Sequence, residues 1–122
     1  MPNLEIDISV RCEAAPCEQE ALRRALALAV EANAKSVRLS VAVVGDEEMC
    51  ALNRRFLGRG GTTDVISFCY GEADGAMEGE IVVNADEAVR QAQHTEHGAE
   101  DELLLYAVHG ALHVIGWDDA TP

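Results

Sequence analysis

Two histidines, His109 and His113, stand four residues apart in the stretch HGALHVIGWDD. On an α-helix that spacing is close to one turn, so both imidazoles project from one face. Two ring nitrogens placed that way can reach a single ion at about 2 Å each. A catalytic metal usually takes three protein ligands and keeps one position for water, so a third donor is needed. Gly116 is suited to end the helix and turn the chain, which would bring Asp118 or Asp119 back towards the pair. The helix around the histidines is almost wholly apolar, and imidazoles buried there would require partners for their nitrogens. Gly110 costs a helix interior about 1 kcal/mol relative to alanine, which implies a close approach to the backbone. We expect its missing side chain to leave room for substrate or water beside the ion.

The second group with chemical potential is basic. Arg54, Arg55 and Arg59 in NRRFLGRGG form the only dense cluster of cations in a chain with 22 acidic and 9 basic residues, a formal net charge of −13. Such a balance repels polyanions at long range and argues against general nucleic-acid binding through net charge, but it leaves a local basic patch open. His94 and His97 lie in the polar segment QAQHTEHGAE and read as surface residues. Cys12, Cys17, Cys50 and Cys69 show no CxxC pair or regular spacing, as expected of thiols in a reducing cytosol rather than of a disulfide framework or a zinc site.

A frame of strands and helices must hold these groups. Leu4 to Val10 alternates as a half-buried strand, and 36–45 alternates with Val37, Leu39, Val41 and Val43 on one face. Between them, 15–34 carries Leu22, Ala25, Leu26, Ala29 and Val30 on one helical stripe, with Pro16 in its first turn. Asp46 is expected to cap a short helix with Met49, Leu52 and Phe56 inward and Arg54 and Arg55 outward, broken by LGRGG. TTDVISFCY and GEIVVN read as strands, with DGAMEG as a turn or loop between them. Asn84 followed by Glu87 resembles a capping box opening the helix 85–93. The most apolar helix, 99–115, starts with an acidic turn that suits the positive end of its dipole. The order predicts one α+β domain over residues 1–122, a mixed sheet of about four strands covered by helices, with the metal site on the C-terminal helix and the turn after it. With 122 residues and 48% hydrophobic content, a single core is the expected scale. No apolar run reaches the ~20 residues of a membrane span, and the N-terminus lacks the pattern of a signal peptide, so a cytoplasmic protein is expected.

Several of these stretches together resemble the YbeY endoribonucleases, bacterial rRNA maturation factors. HGALHVIGWDD is similar to their H-G-x-L-H-L-x-G-aromatic-D-H signature, LNRRFLGRGGTTDVISF to their L-N-x-x-[FY]-R-G-x-x-x-x-T-[DN]-V-L-S-F segment, and GEIVVN to their G-D-I-x-[IV] strand. The resemblance implies a single-strand-specific, metal-dependent endoribonuclease, acting in maturation of the 3′ end of small-subunit rRNA and in ribosome quality control. It implies one zinc or other divalent ion per chain, held by His109, His113 and Asp119. Asp119 stands where the family has its third histidine, and a carboxylate oxygen is an acceptable zinc ligand. Asp118 matches an aspartate beside that position and would support the ligands from behind, as would Asp64. Leu57 replaces the arginine to which the family's catalysis is assigned. Arg59, or Arg55 one helical turn away, would then supply the guanidinium that pairs with a phosphate oxygen. Arg54, Arg55 and Ser67 would contact RNA. The partners implied are single-stranded rRNA and the ribosome or its basic proteins, with no membrane.

Rival chemistries fit less well. HExxH proteases carry their glutamate base where this chain has Gly110. Iron oxygenases with a two-histidine, one-carboxylate triad usually use a β-barrel, which needs more strands than this chain has. A different class also follows from Leu57 and the acidic balance: a ribosome-associated assembly factor with a structural metal and little or no cleavage.

Overall fold

The computed structural model describes residues 3–13, 15–32 and 36–116. Alternation of apolar and polar residues decides how the strands face. β1 (Leu4–Val10) and β2 (Val37–Val44) pair in parallel, with Leu4 opposite Val37. β4 (Ala76–Asn84) pairs parallel to β2 and antiparallel to β3 (Val65–Ala73), giving the order β1-β2-β4-β3. Helices α1 (Gln19–Glu31), α3 (Ala85–Ala92) and α4 (Ala99–Val114) cover the face that carries Val37, Leu39, Val41, Val43, Ile81 and Val83. The short α2 (Asp46–Leu52) covers the end of the other face, packing Met49 with Ala42, Val44, Ile66 and Val82. The α+β architecture with a four-stranded mixed sheet is as the sequence implies. Among the described residues, no helix is long and apolar enough to cross a membrane.

Four local expectations are corrected. Helix α1 buries Leu22, Leu26 and Val30 as expected, but it begins at Gln19, so Pro16 precedes the helix instead of occupying its first turn. The segment 74–79 is not a loop. Only Asp74 and Gly75 turn, both at positive φ (53° and 80°), while Ala76 to Gly79 are paired within β4. Pairing to β2 on one side and β3 on the other outweighs the local flexibility of those residues.

Asp46 does not cap α2. Gly45 holds the N-cap position, and the Oδ2 of Asp86 accepts the Asp46 amide at 2.9 Å. A β-carbon at Gly45 would stand 2.9 Å from that same oxygen, so the glycine admits the capping carboxylate from another helix.

Phe56 is not an inward residue; it is 52% exposed. The reason is a change of helix. From Asn53 to Leu57 the chain winds as a π-helical turn, whose larger number of residues per turn rotates each later side chain away from its α-helical direction. Asn53 takes the buried place at 4% exposure, and Phe56 meets Phe68 edge-on at the rim, centroids 5.4 Å apart.

Candidate metal and RNA site

Helix α4 explains its own placement. Leu103, Ala107, Gly110, Ala111 and Val114 form a buried stripe at helical spacing, and they seat the helix against α1, α3 and the sheet. Glu100, Asp101 and Glu102 lie in its first turn, where negative charge is favourable. His97 Nε2 lies 2.5 Å from Glu102 Oε1, so a residue of the connecting segment partners the buried carboxylate of that turn. His94 and His97 are both exposed, as expected.

His109 and His113 project side by side from the exposed side of α4, their ring centroids 5.5 Å apart and their planes tilted by 59°. This is the juxtaposition that the four-residue spacing requires. The idea that they need partners because the helix is apolar does not hold, because both rings reach the surface. Two neighbouring imidazoles with outward-facing rings suit a borderline-soft divalent ion such as zinc and supply two of its donors. Gly116 ends the helix at φ 96°, with its amide bonded to the carbonyl of His113 at 3.1 Å. Among the described residues there is no group of three or more His, Cys, Asp or Glu placed to hold a metal. Asp118 and Asp119, expected behind and on the ion, lie with Trp117 outside the described residues.

Gly110 has a different purpose from the one expected. It is buried, and a β-carbon there would stand 2.8 Å from Ile81 Cγ2 and 3.3 Å from Val65 Cγ2. The close approach exists, but it is to the sheet, so the glycine leaves no room for substrate or water beside an ion.

Edge strand β3 runs under the same stretch of α4. Ser67 pairs with Ile81 and sits between Val65, which approaches Gly110, and Cys69, whose Sγ donates to the carbonyl of Val114 at 3.3 Å. Half-buried Ser67 therefore lies along the helix segment that carries the histidines. Asp64, just before β3, uses its Oδ1 to accept the Val65 amide at 2.8 Å and the Thr63 hydroxyl at 3.4 Å. That is the turn chemistry of a strand entrance.

The arginines lie on the π-helical turn and the glycine loop after it. Arg54, Arg55 and Arg59 are all exposed. The guanidinium carbon of Arg55 is 5.2 Å from the ring centroid of Phe56, a cation–π contact. Leu57 beside them is 46% exposed. Asn53 secures the loop from below, donating through Nδ2 to the carbonyl of Gly61 at 3.2 Å and accepting the Arg59 amide on its own carbonyl at 3.3 Å.

Asn84 plays the matching part at the other end. It is the N-cap of α3, accepting the amides of Asp86 and Glu87, which bears out half of the capping box. Glu87 does not reach back to it; its carboxylate pairs with Arg90 and Gln91. Asp46 accepts a forked pair from Arg90 at 2.6 and 2.7 Å, and these bonds, aided by Asn84 and Thr62, hold its carboxyl down at about 2. Asn53 stood out in the sequence only as the asparagine of the family-like L-N-x-x-[FY] segment, and Asp46 and Asn84 carried only capping signals.

Known proteins similar to a chain with this fold and this exposed pair of imidazoles on its core helix are named as endoribonucleases. The family model described as Endoribonuclease YbeY matches residues 7–122, and the chain belongs to that family. It is 38% identical over 102 residues to the Endoribonuclease YbeY of Chlorobium phaeovibrioides, covering 83% of this chain and 68% of that protein. With the one from Rhodopirellula baltica it shares 32% over 133 residues, covering 98% and 69%. With that of a Nitratiruptor species it shares 42% over 76 residues, 62% and 53%. The chain thus spans between about half and about two thirds of the length of these relatives. The solution structure of TM1509 from Thermotoga maritima superposes with a TM-score of 0.68 at 31% identity, covering 93% of this chain and 73% of that one.

Proposed function

We propose that this chain is a single-strand-specific, metal-dependent endoribonuclease that acts in rRNA maturation, at the 3′ end of the small-subunit rRNA, and in ribosome quality control. The observation that carries the reading is the exposed, side-by-side placement of His109 and His113 on α4 in a member of this family. His109 and His113 with Asp119 would hold one divalent ion, zinc by the softness of the donor set. When bound, such an ion supplies Lewis acidity, lowering the pKa of a bound water and offsetting charge on the phosphodiester. Arg59, or Arg55, offers a forked guanidinium to a non-bridging phosphate oxygen. Arg54 and Arg55 hold neighbouring phosphates, and Ser67 lines the path beside α4. Asp118 would steady the ligands by a hydrogen bond, while Asp64 shapes the turn into the strand of Ser67. The partners are single-stranded rRNA and the ribosome, in the cytoplasm, where an acidic chain is attracted to basic ribosomal proteins.

Leu57 in place of the family's arginine, together with the net charge of −13, favours a second reading. In it, the chain is a ribosome-associated assembly factor whose metal is structural. One experiment separates the two. Purified protein is analysed for metal and tested in single turnover on single-stranded RNA, with and without chelator and beside His109→Ala. Cleavage lost on chelation and in the variant supports the nuclease; bound metal without cleavage supports the assembly factor.

A further inference from the structure

The loop from Gly58 to Asp64 carries Arg59 and leads into the strand of Ser67, yet it has little packing of its own. At Gly58, Gly60 and Gly61 no atom beyond the glycine and its immediate chain neighbours lies within 4 Å of where a β-carbon would be. Its course is set instead by hydrogen bonds at its two ends. Asn53 holds residues 59 and 61. Asn84, wholly buried at 0% exposure, holds residues 62 to 64. Its Nδ2 lies within donating distance of three oxygens: Asp46 Oδ1 at 2.9 Å, Thr62 Oγ1 at 2.9 Å and the Thr63 carbonyl at 3.1 Å. Its backbone amide donates to the carbonyl of Asp64 at 2.9 Å. The Oδ1 is occupied separately by the first amides of α3, at 3.0 and 3.2 Å. One side chain thus performs two separable tasks: the oxygen caps a helix and the amide nitrogen holds the loop.

We infer that Asn84 is a positioning residue for RNA cleavage, holding the 58–64 loop through its amide nitrogen so that Arg59 meets the phosphate in a fixed place. The inference rests on the nuclease reading above. Displacing a charged group by about 1 Å costs a reaction up to about a hundredfold in rate, and without the amide nitrogen of Asn84 the loop loses the side-chain bonds that hold Thr62 and Thr63.

The test uses the division of labour within the side chain. Asn84→Asp keeps the oxygen that caps α3, since aspartate is as good an N-cap as asparagine, but replaces the donor with a second acceptor facing Asp46 and the Thr63 carbonyl. The full chain should stay folded, bind zinc as before and retain its KM through Arg54 and Arg55. Its kcat should fall by about tenfold or more, and the amides of 58–64 should exchange with solvent faster while those of α3 do not. Adding Asp46→Asn to that variant restores a donor opposite the new carboxylate and should recover part of both losses. A folded Asn84→Asp protein with unchanged kcat or unchanged loop exchange overturns the inference, as does a double variant that recovers neither. Wild-type protein that cleaves no RNA would instead sink the nuclease reading, so the two failures are told apart.

Discussion

Gly110→Ala measures directly whether α4 is seated on the sheet as described. Taken alone, an alanine in a helix interior stabilises by up to about 1 kcal/mol relative to glycine. Here the added methyl would sit 2.8 Å from Ile81 Cγ2, 3.4 Å from Ile81 Cγ1 and 3.3 Å from Val65 Cγ2. Ile81 is at 0% exposure on a strand paired on both sides, so neither its side chain nor its backbone can readily yield. Overpacking of a tight core costs about 1–3 kcal/mol. The clash should outweigh the propensity gain, leaving the full chain less stable by about 1–2 kcal/mol, or roughly 3–8 °C in melting temperature. Urea and thermal melts of the whole protein would read this out. Truncating Ile81 to alanine removes both contacting carbons, so the double variant should fall short of additivity by more than about 0.5 kcal/mol. Because Gly110 faces the sheet, zinc affinity of the folded variant should be little changed. A Gly110→Ala protein as stable as wild type, or more so, would show that the helix does not lie this close to β4.

Other expectations follow from single interactions. Asp46 has its carboxyl held at about 2 against an ordinary 3.8 by Arg90, so its contribution is present above about pH 4 and is lost as pH falls towards 2. Because the pair is partly exposed, that contribution is held to about 1 kcal/mol or less, and acid titration of stability in Asp46→Asn should show a flatter limb in that window; an unchanged limb would refute it. Replacing Arg55 and Arg59 together by alanine should flatten the salt dependence of RNA binding by about 0.7 on a log–log plot for each phosphate that no longer pairs with a cation, whereas an unaltered slope would place the RNA elsewhere. In metal titrations, Asp119→Ala should lose most of the affinity, Asp119→His should retain it and Asp118→Ala should lose less; the reverse ranking would exchange the roles of the two aspartates. His97→Ala leaves the buried Glu102 carboxylate without the partner now 2.5 Å away and should cost about 1–3 kcal/mol in a denaturant melt, a cost that Glu102→Gln in the same chain should relieve.

What the sequence determined by itself was everything governed by local geometry. The period of two in Leu4–Val10 and Val37–Val43 placed two strands and their inner faces, because side chains alternate across any strand. The spacing of His109 and His113 set them side by side, because 3.6 residues make a turn in any α-helix. Asn84 was legible as a cap and Gly116 as a terminator for the same reason. Tertiary structure alone decided the rest. Gly110 reads as a space, and only the two neighbouring strands β3 and β4 reveal that Val65 and Ile81 fill it. Asn53 took the buried place expected of Phe56 because the chain widens to a π-helical turn, and no side-chain periodicity announces that change. The cap of α2 comes from Asp86, forty residues beyond Asp46, and the hold on the arginine loop comes from Asn84, twenty-two beyond Thr62. Hydrogen bonds of that reach depend on which strand ends meet in the sheet, and that meeting is fixed by burial across the whole core and not by any one segment.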